Sequence, residues 1–268
     1  MEQKWFEFVT SVNLTILCIM REEVINLLNN LNRTFYDELA EAFAASRGPS
    51  EPGLVRALAQ VQPGARVLDL GCGQARVAAL LPAGCEYVGL DFSAEMLAIA
   101  ERAVNTAHLS HASFIIADLL DPTWPTLVDG PYDWVVLRAV LHHIAGAENR
   151  QAVLQRAASC LAPQGRILLA NWQFLEIERL RRRLLPWDAV GLSPDDVEPG
   201  DYLLNWQREG YGIRYVHWIG EDETATLAAA AGLSVDVLFR ADGHHNSLTL
   251  YAILSPTPTP TPTSTPSP

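Results

Sequence analysis

Between residues 66 and 170 the chain alternates between two hydrophobic periods, and that alternation restricts the fold more than any other feature. Short apolar or β-branched runs fall at 66–70, 87–91, 113–117, 134–137 and 166–170. Helical stretches precede or separate them at 51–60, 77–81, 94–107 and 149–161. Strands and helices taken in turn build a parallel sheet with helices on both faces, because parallel neighbours need a crossover and a helix supplies it. Runs such as 134–137 are apolar throughout, which suits strands covered on both sides. Ser93 stands where an N-cap belongs, and Pro163-Gln164-Gly165 stops the helix before it. After residue 170 the alternation breaks. Residues 174–185 read as helical and carry Arg179, Arg181, Arg182 and Arg183, and residues 186–210, rich in Pro, Gly and Asp, read as an insertion. A helix at 221–231 and strands at 234–239 and 247–254 complete the α/β pattern.

Composition narrows the function classes. With 268 residues, 49% of them hydrophobic, the chain buries a substantial core. Its 19 Lys+Arg stand against 31 Asp+Glu, a formal charge of -12. A strongly basic nucleic-acid-binding domain is disfavoured, although a local basic patch is not. Cys18, Cys72, Cys85 and Cys160 are scattered, with no Cys-x-x-Cys pair and no zinc spacing. No disulfide framework and no metal site are expected, and a cytoplasmic setting is the simplest. The apolar stretch 14–20 is interrupted by Thr15 and falls far short of the ~20 residues that span a bilayer. Glu2 and Glu7 precede it, and no small-residue cleavage site follows, so a secretion signal is not expected. Met20 is an alternative start. From residue 256 onward the chain is only Pro, Thr and Ser, with six prolines, and reads as an extended disordered tail.

The chemistry concentrates in Val67-Leu68-Asp69-Leu70-Gly71-Cys72-Gly73-Gln74-Ala75-Arg76. A buried strand meets a glycine turn, and a following helix would present unpaired N–H groups to a ligand. Asp91 ends the second strand and Asp118 ends the third, placing three acids at carboxyl ends of successive strands. Open α/β sheets bind ligands on that side, and acids there meet ribose hydroxyls or an adenine amino group. A dinucleotide fingerprint needs glycine where Arg76 stands, and a Walker loop needs Gly-Lys-Ser/Thr, which is absent.

Asp-Leu-Gly-Cys-Gly resembles the first motif of class I S-adenosylmethionine-dependent methyltransferases. The resemblance continues through Leu90-Asp91-Phe92-Ser93-Ala94-Glu95-Met96-Leu97, Ala117-Asp118-Leu119, Tyr132-Asp133-Trp134-Val135-Val136 and Leu161-Ala162-Pro163-Gln164-Gly165. Ala75 departs from the usual last glycine of the loop, and Gln164 from the usual Gly-Gly. The resemblance implies a Rossmann-like, doubly wound, mostly parallel seven-stranded sheet with an antiparallel last strand near 247–254. It implies a methyltransferase domain over 32–255 with an insertion near 174–215, after an N-terminal extension at 1–31. S-adenosyl-L-methionine is then the cofactor. Asp69, Gly71, Cys72 and Gly73 would hold its methionine end and Asp91 its ribose. Phe92 would pack on adenine, Asp118 and Leu119 would read the adenine edge, and Tyr36 and Arg47 would form a lid.

The acceptor is not set by the fold. Leu137-Arg138-Ala139-Val140-Leu141-His142-His143-Ile144 opens the catalytic face. His142 or His143 either supplies a base or packs the loop, and Arg138 or His142 could orient a carboxylate. A finer resemblance links Ala139 to Ile144 with Arg150, Asn32-Arg33-Thr34-Phe35-Tyr36 through Ser46-Arg47, and Gly200 to Trp206 with Arg214-Tyr215-Val216-His217 to the methyltransferases of carboxymethyl-uridine at the tRNA wobble position. Asn205 and Trp218-Ile219 depart from that pattern. The resemblance implies a tRNA acceptor and a small activating partner subunit. The Arg179–Arg183 cluster and Trp172, Trp187 and Trp206 would suit phosphates and bases, while the acidic surface favours a small-molecule O-, N- or C-acceptor. A non-enzymatic cofactor-binding protein is the remaining alternative.

Overall fold

Each central strand carries apolar side chains on both faces, and this sets the architecture. The computed structural model describes residues 20–46, 51–103, 105–207 and 210–258. The N-terminal part holds α1 (Glu22–Glu38), α2 (Ala40–Ala45) and α3 (Pro52–Leu58). The alternating part runs β1 (Arg66–Leu70), β2 (Glu86–Asp91), α4 (Ala94–Ala103), β3 (His111–Ile116), β4 (Tyr132–Arg138), α5 (Ala147–Ser159) and β5 (Leu161–Trp172). An inserted region follows, with α6 (Glu178–Arg181), β6 (Leu184–Leu185), β7 (Asp201–Gln207) and β8 (Tyr211–His217). The chain returns through α7 (Glu221–Ala230), β9 (Leu233–Ala241) and β10 (Thr249–Pro256).

Leu68 and Leu70 of β1, Val88 and Leu90 of β2, and Val135 and Leu137 of β4 face one side, where α5 and α7 supply Val153, Leu154 and Leu227. The alternate residues Val67, Tyr87, Trp134 and Val136 face the other, against Leu54 and Leu58 of α3 and Leu97 of α4. The period of two along the strands thus feeds two separate apolar layers. The seven strands lie in the order β3-β2-β1-β4-β5-β10-β9. β1 pairs parallel with β2 and β4, and β10 runs antiparallel between β5 and β9. The expected doubly wound sheet with its antiparallel final strand is what forms. Chain order reverses between β1 and β4, which opens a crevice at their carboxyl ends. No helix among the described residues is long and apolar enough to cross a membrane.

Several expectations need correction. The glycine turn does not lead into an α-helix: residues 71–77 stay in turns and only one 3-10 turn follows, Ala78–Leu80. Ala75 sits at φ +55°, a left-handed conformation that interrupts helical progression. The stretch at 174–185 is not one helix but a 3-10 turn at Phe174–Glu176, the single-turn α6 and then β6, and the insertion is ordered as a three-stranded antiparallel sheet, β6-β7-β8. Buried Leu203, Leu204 and Trp206 give β7 an apolar anchor that its Pro/Gly-rich flanks conceal. The boundary expected at residue 31 falls inside α1, whose Val24 and Leu28 pack on Leu203 and Tyr215 of the inserted sheet. The helix expected to run to 161 ends at Ser159, and β5 starts at Leu161. Residues 14–19, Arg47 and the tail from 259 onward lie outside the described residues.

Candidate active site

The crevice at the switch between β1 and β4 is built around the glycine turn. Gly71 and Gly73 adopt φ +68° and +54°, which L side chains rarely do. A Cβ on Gly71 would stand 2.5 Å from Val140, and one on Gly73 would stand 3.2 Å from Met96. Glycine lets the turn lie flat against both. The Cys72 amide is anchored on the Leu90 carbonyl at 2.8 Å, which ties the turn to β2. Without a helix behind it, the loop offers its own backbone amides rather than a dipole.

Asp91, at the end of β2, accepts the Gly73 amide at 2.8 Å and the Ser93 amide at 3.0 Å. Burial pushes its carboxyl up from the usual range, against the pull of these donors. Ser93 caps α4 through a hydrogen bond from the Met96 amide to its hydroxyl, at 3.3 Å. Phe92 follows Asp91 on the crevice wall, and Asp118 and Leu119 line the far side. Asp118 accepts from Arg33 at 2.7 Å and from the Leu120 amide at 3.0 Å. Asp69 differs from expectation. It is buried behind the turn, accepts the Tyr87 hydroxyl at 2.8 Å, and does not line the crevice. Burial pushes its carboxyl up to about 7. Gly71, Cys72 and Gly73 do line it.

The crevice is partly open to solvent and is roofed by α1. Asn29, Asn32, Arg33 and Tyr36 all face it. These positions stand at helical i, i+3, i+4 and i+7 spacing, so the expected Tyr36 and the Asn32-Arg33 motif belong to one polar stripe that Asn29 extends. The Arg33 guanidinium lies 5.2 Å over the Phe92 ring. Asn32, only 4% exposed, donates to the carbonyls of His143 (2.8 Å) and Tyr215 (3.0 Å) and accepts the Tyr215 amide at 2.9 Å. One amide therefore fastens α1 to β8 and to the loop after β4.

The two histidines part ways. His142 is fully buried, with Nδ1 3.2 Å from Asn171 Oδ1, and stays off the crevice wall. His143 lines the crevice, with Nδ1 3.0 Å from the Tyr215 carbonyl and Nε2 3.0 Å from the Tyr36 hydroxyl. A carbonyl only accepts, so Nδ1 carries a proton, and in the neutral ring Nε2 then accepts from Tyr36. Arg138 reaches the crevice but is clamped by Glu51 through two hydrogen bonds, one of them 2.7 Å from Nε. That ion pair fixes Arg138 as part of the floor. Arg150, 2% exposed, is held between Glu198 (2.9 Å) and Glu223 (3.3 Å) and packs the structure away from the crevice.

Residues 67–165 match the family model described as a methyltransferase domain. The chain is 27% identical over 195 residues to tRNA (carboxymethyluridine(34)-5-O)-methyltransferase ALKBH8 of Mus musculus, a match covering 70% of this chain and 28% of that protein. It is 25% identical over 142 residues to the tRNA (carboxymethyluridine(34)-5-O)-methyltransferase of Arabidopsis thaliana, covering 51% of this chain and 31% of that one. The chain thus spans less than a third of either relative. Among solved structures, magnesium protoporphyrin IX methyltransferase from Synechocystis PCC 6803 with bound SAH superimposes with a TM-score of 0.59 at 18% identity, over 85% of this chain and 99% of that one. This likeness shares the fold. The strand order, the glycine turn and Asp91 arranged around one crevice agree with the methyltransferase-domain model that residues 67–165 match.

Proposed function

We propose that the protein transfers a methyl group from S-adenosylmethionine to a carboxylate oxygen of a carboxymethyl-type uridine in tRNA. The residues present fit the cofactor, since Asp91 and the glycine turn are joined by a hydrogen bond on the wall of a crevice large enough for a small molecule. Asp91 would take the ribose hydroxyls, Phe92 the adenine face, and Asp118 with Leu119 the adenine edge. The backbone of residues 71–73 would hold the methionine end. When bound, the cofactor supplies a methyl group already activated on a sulfonium centre.

The observation that carries the acceptor assignment is the pairing of His143 with Tyr36. Both ring nitrogens of His143 are engaged, Nδ1 by a carbonyl and Nε2 by a hydroxyl, so neither is turned directly to an acceptor in the crevice. An acceptor that must lose a proton needs a base. A carboxylate is ionised at neutral pH and does not. What remains for the protein is alignment and exclusion of water. The names of the mouse and Arabidopsis relatives point to the same acceptor chemistry. The net charge of -12 disfavours unaided binding of tRNA, and a small activating partner subunit carrying positive charge belongs to this reading.

The acidic surface supports a second reading, a small-molecule methyltransferase. Nucleoside mass spectrometry of tRNA from a strain lacking the gene separates the two. Loss of the methyl ester at the wobble uridine, with its free acid accumulating, is the expected result. An unchanged wobble nucleoside would leave the small-molecule reading.

A further inference from the structure

Beside the cofactor crevice, with Phe43 lining both, lies a second cavity walled by Trp172, Trp206, Arg179, Arg183 and Arg214. Arg214, on β8, is 3% exposed, yet its Nε and Nη1 have no hydrogen-bond partner among the described residues. Its neighbours are rings. The guanidinium carbon stands 4.7 Å from the centroid of Phe35, 5.2 Å from Trp172 and 5.6 Å from Phe43. The other arginines drawn into this part of the molecule are treated differently: Arg150 has Glu198 and Glu223, and Arg138 has Glu51. A guanidinium taken out of water without an anion is costly, and ring faces return only part of that cost. The missing partner is an anion, and the planar fork of arginine matches a carboxylate with two parallel bonds.

The walls specify more. Two indole rings are among the walls, and aromatic walls suit a planar ring better than an aliphatic chain. Arg179 and Arg183 add positive charge from the α6 side. Trp172 also stands 5.6 Å from the His143 ring, ring centre to ring centre, so the cavity adjoins the end of the crevice where His143 meets Tyr36. We propose that this cavity is the acceptor pocket and that it takes a planar ring bearing a carboxylate, paired with Arg214. The assignment rests on the methyl-transfer reading above and adds the recognition element to it. A methyl ester no longer carries the charge that Arg214 holds, so the same contact that selects the acid releases the product.

Ligand-observed NMR titrations of the full chain saturated with S-adenosylhomocysteine test this. Phenylacetate is compared with phenylacetamide, and 5-carboxymethyluridine with uridine. The wild-type protein is expected to prefer each acid on the order of 10- to 100-fold, the range of a charge-assisted hydrogen bond. Arg214→Met is expected to abolish the preference while leaving S-adenosylhomocysteine affinity unchanged. Should that variant fail to fold, Arg214→Lys keeps the charge without the fork, and a reduced preference supports the assignment. No preference in the wild-type protein, or an undiminished one in the folded variant, overturns it and leaves Arg214 as a cation packed on rings. A preference for phenylacetate without one for 5-carboxymethyluridine supports the pocket and removes the tRNA acceptor. Methylation of tRNA without any carboxylate preference does the reverse.

Discussion

Single residues decide what the crevice can bind and what it can do. Asp91 holds the Gly73 and Ser93 amides and faces the crevice, so its carboxylate both shapes the turn and offers an acceptor. Asp91→Asn should weaken S-adenosylhomocysteine binding about 10- to 100-fold, the cost of losing a charged acceptor, as read by calorimetry. His143 offers a sharper test of mechanism. If the acceptor is a carboxylate, His143→Gln should lower kcat less than about tenfold, since only positioning is lost. A general base removed would cost about 10²–10⁴-fold, and single-turnover rates distinguish the two. The acids at 91 and 118 were legible in the sequence because strand ends mark the binding edge of an open sheet. Asp69 was not, because only packing shows that Tyr87 engages it behind the turn.

At the scale of elements, the inserted sheet and α1 behave as one unit attached to the core. Asn32 makes the attachment with three hydrogen bonds spread over β8 and the His143 loop. Asn32→Ala should therefore cost about 2–4 kcal/mol in urea unfolding, since three buried backbone groups lose a partner at about 1 kcal/mol each. The far end of the inserted sheet depends on pH. His217 Nδ1 lies 2.6 Å from Asp201 on β7, and Nε2 lies 2.9 Å from Glu223 on α7. Burial, with Arg150 nearby, works against a charge on this ring, but hydrogen bonds to both carboxylates outweigh it and raise its pKa. A folded pKa above the unfolded value of about 6.5 means this contribution is complete below that pH and is lost as pH rises through the folded pKa. Thermal melts from pH 6 upward should show wild-type protein losing its advantage over His217→Gln. A constant gap across that range would refute the charge assignment. The strands of the main sheet were readable in advance to within a few residues, because each presents apolar side chains to two layers. The inserted strands were obscured, because Pro, Gly and Asp around them are also the residues of loops.

For the whole molecule, the reversal of strand order between β1 and β4 makes one site where turn, acids, α1 and the His143 loop converge. Ligand binding there should stabilise the entire fold. S-adenosylhomocysteine at a hundred times its Kd should add about 2.7 kcal/mol, which is roughly 5–10 °C in Tm for a domain of this size. Differential scanning calorimetry should record that shift in the wild-type protein and little of it in Asp91→Asn at the same ligand concentration. The sequence alone determined the doubly wound sheet, the glycine turn and the acids at its binding edge, since these follow from periodicity and turn chemistry over short stretches of chain. Only the tertiary structure decided that His143 meets the crevice while His142 is buried, that Arg33 reaches Asp118, and that Arg214 is enclosed by rings with no carboxylate of the described residues paired to it. Such pairings join residues as far apart as Asn32 and Tyr215, 183 positions along the chain. Local periodicity says which face of an element is buried, but packing between distant elements selects what that face meets.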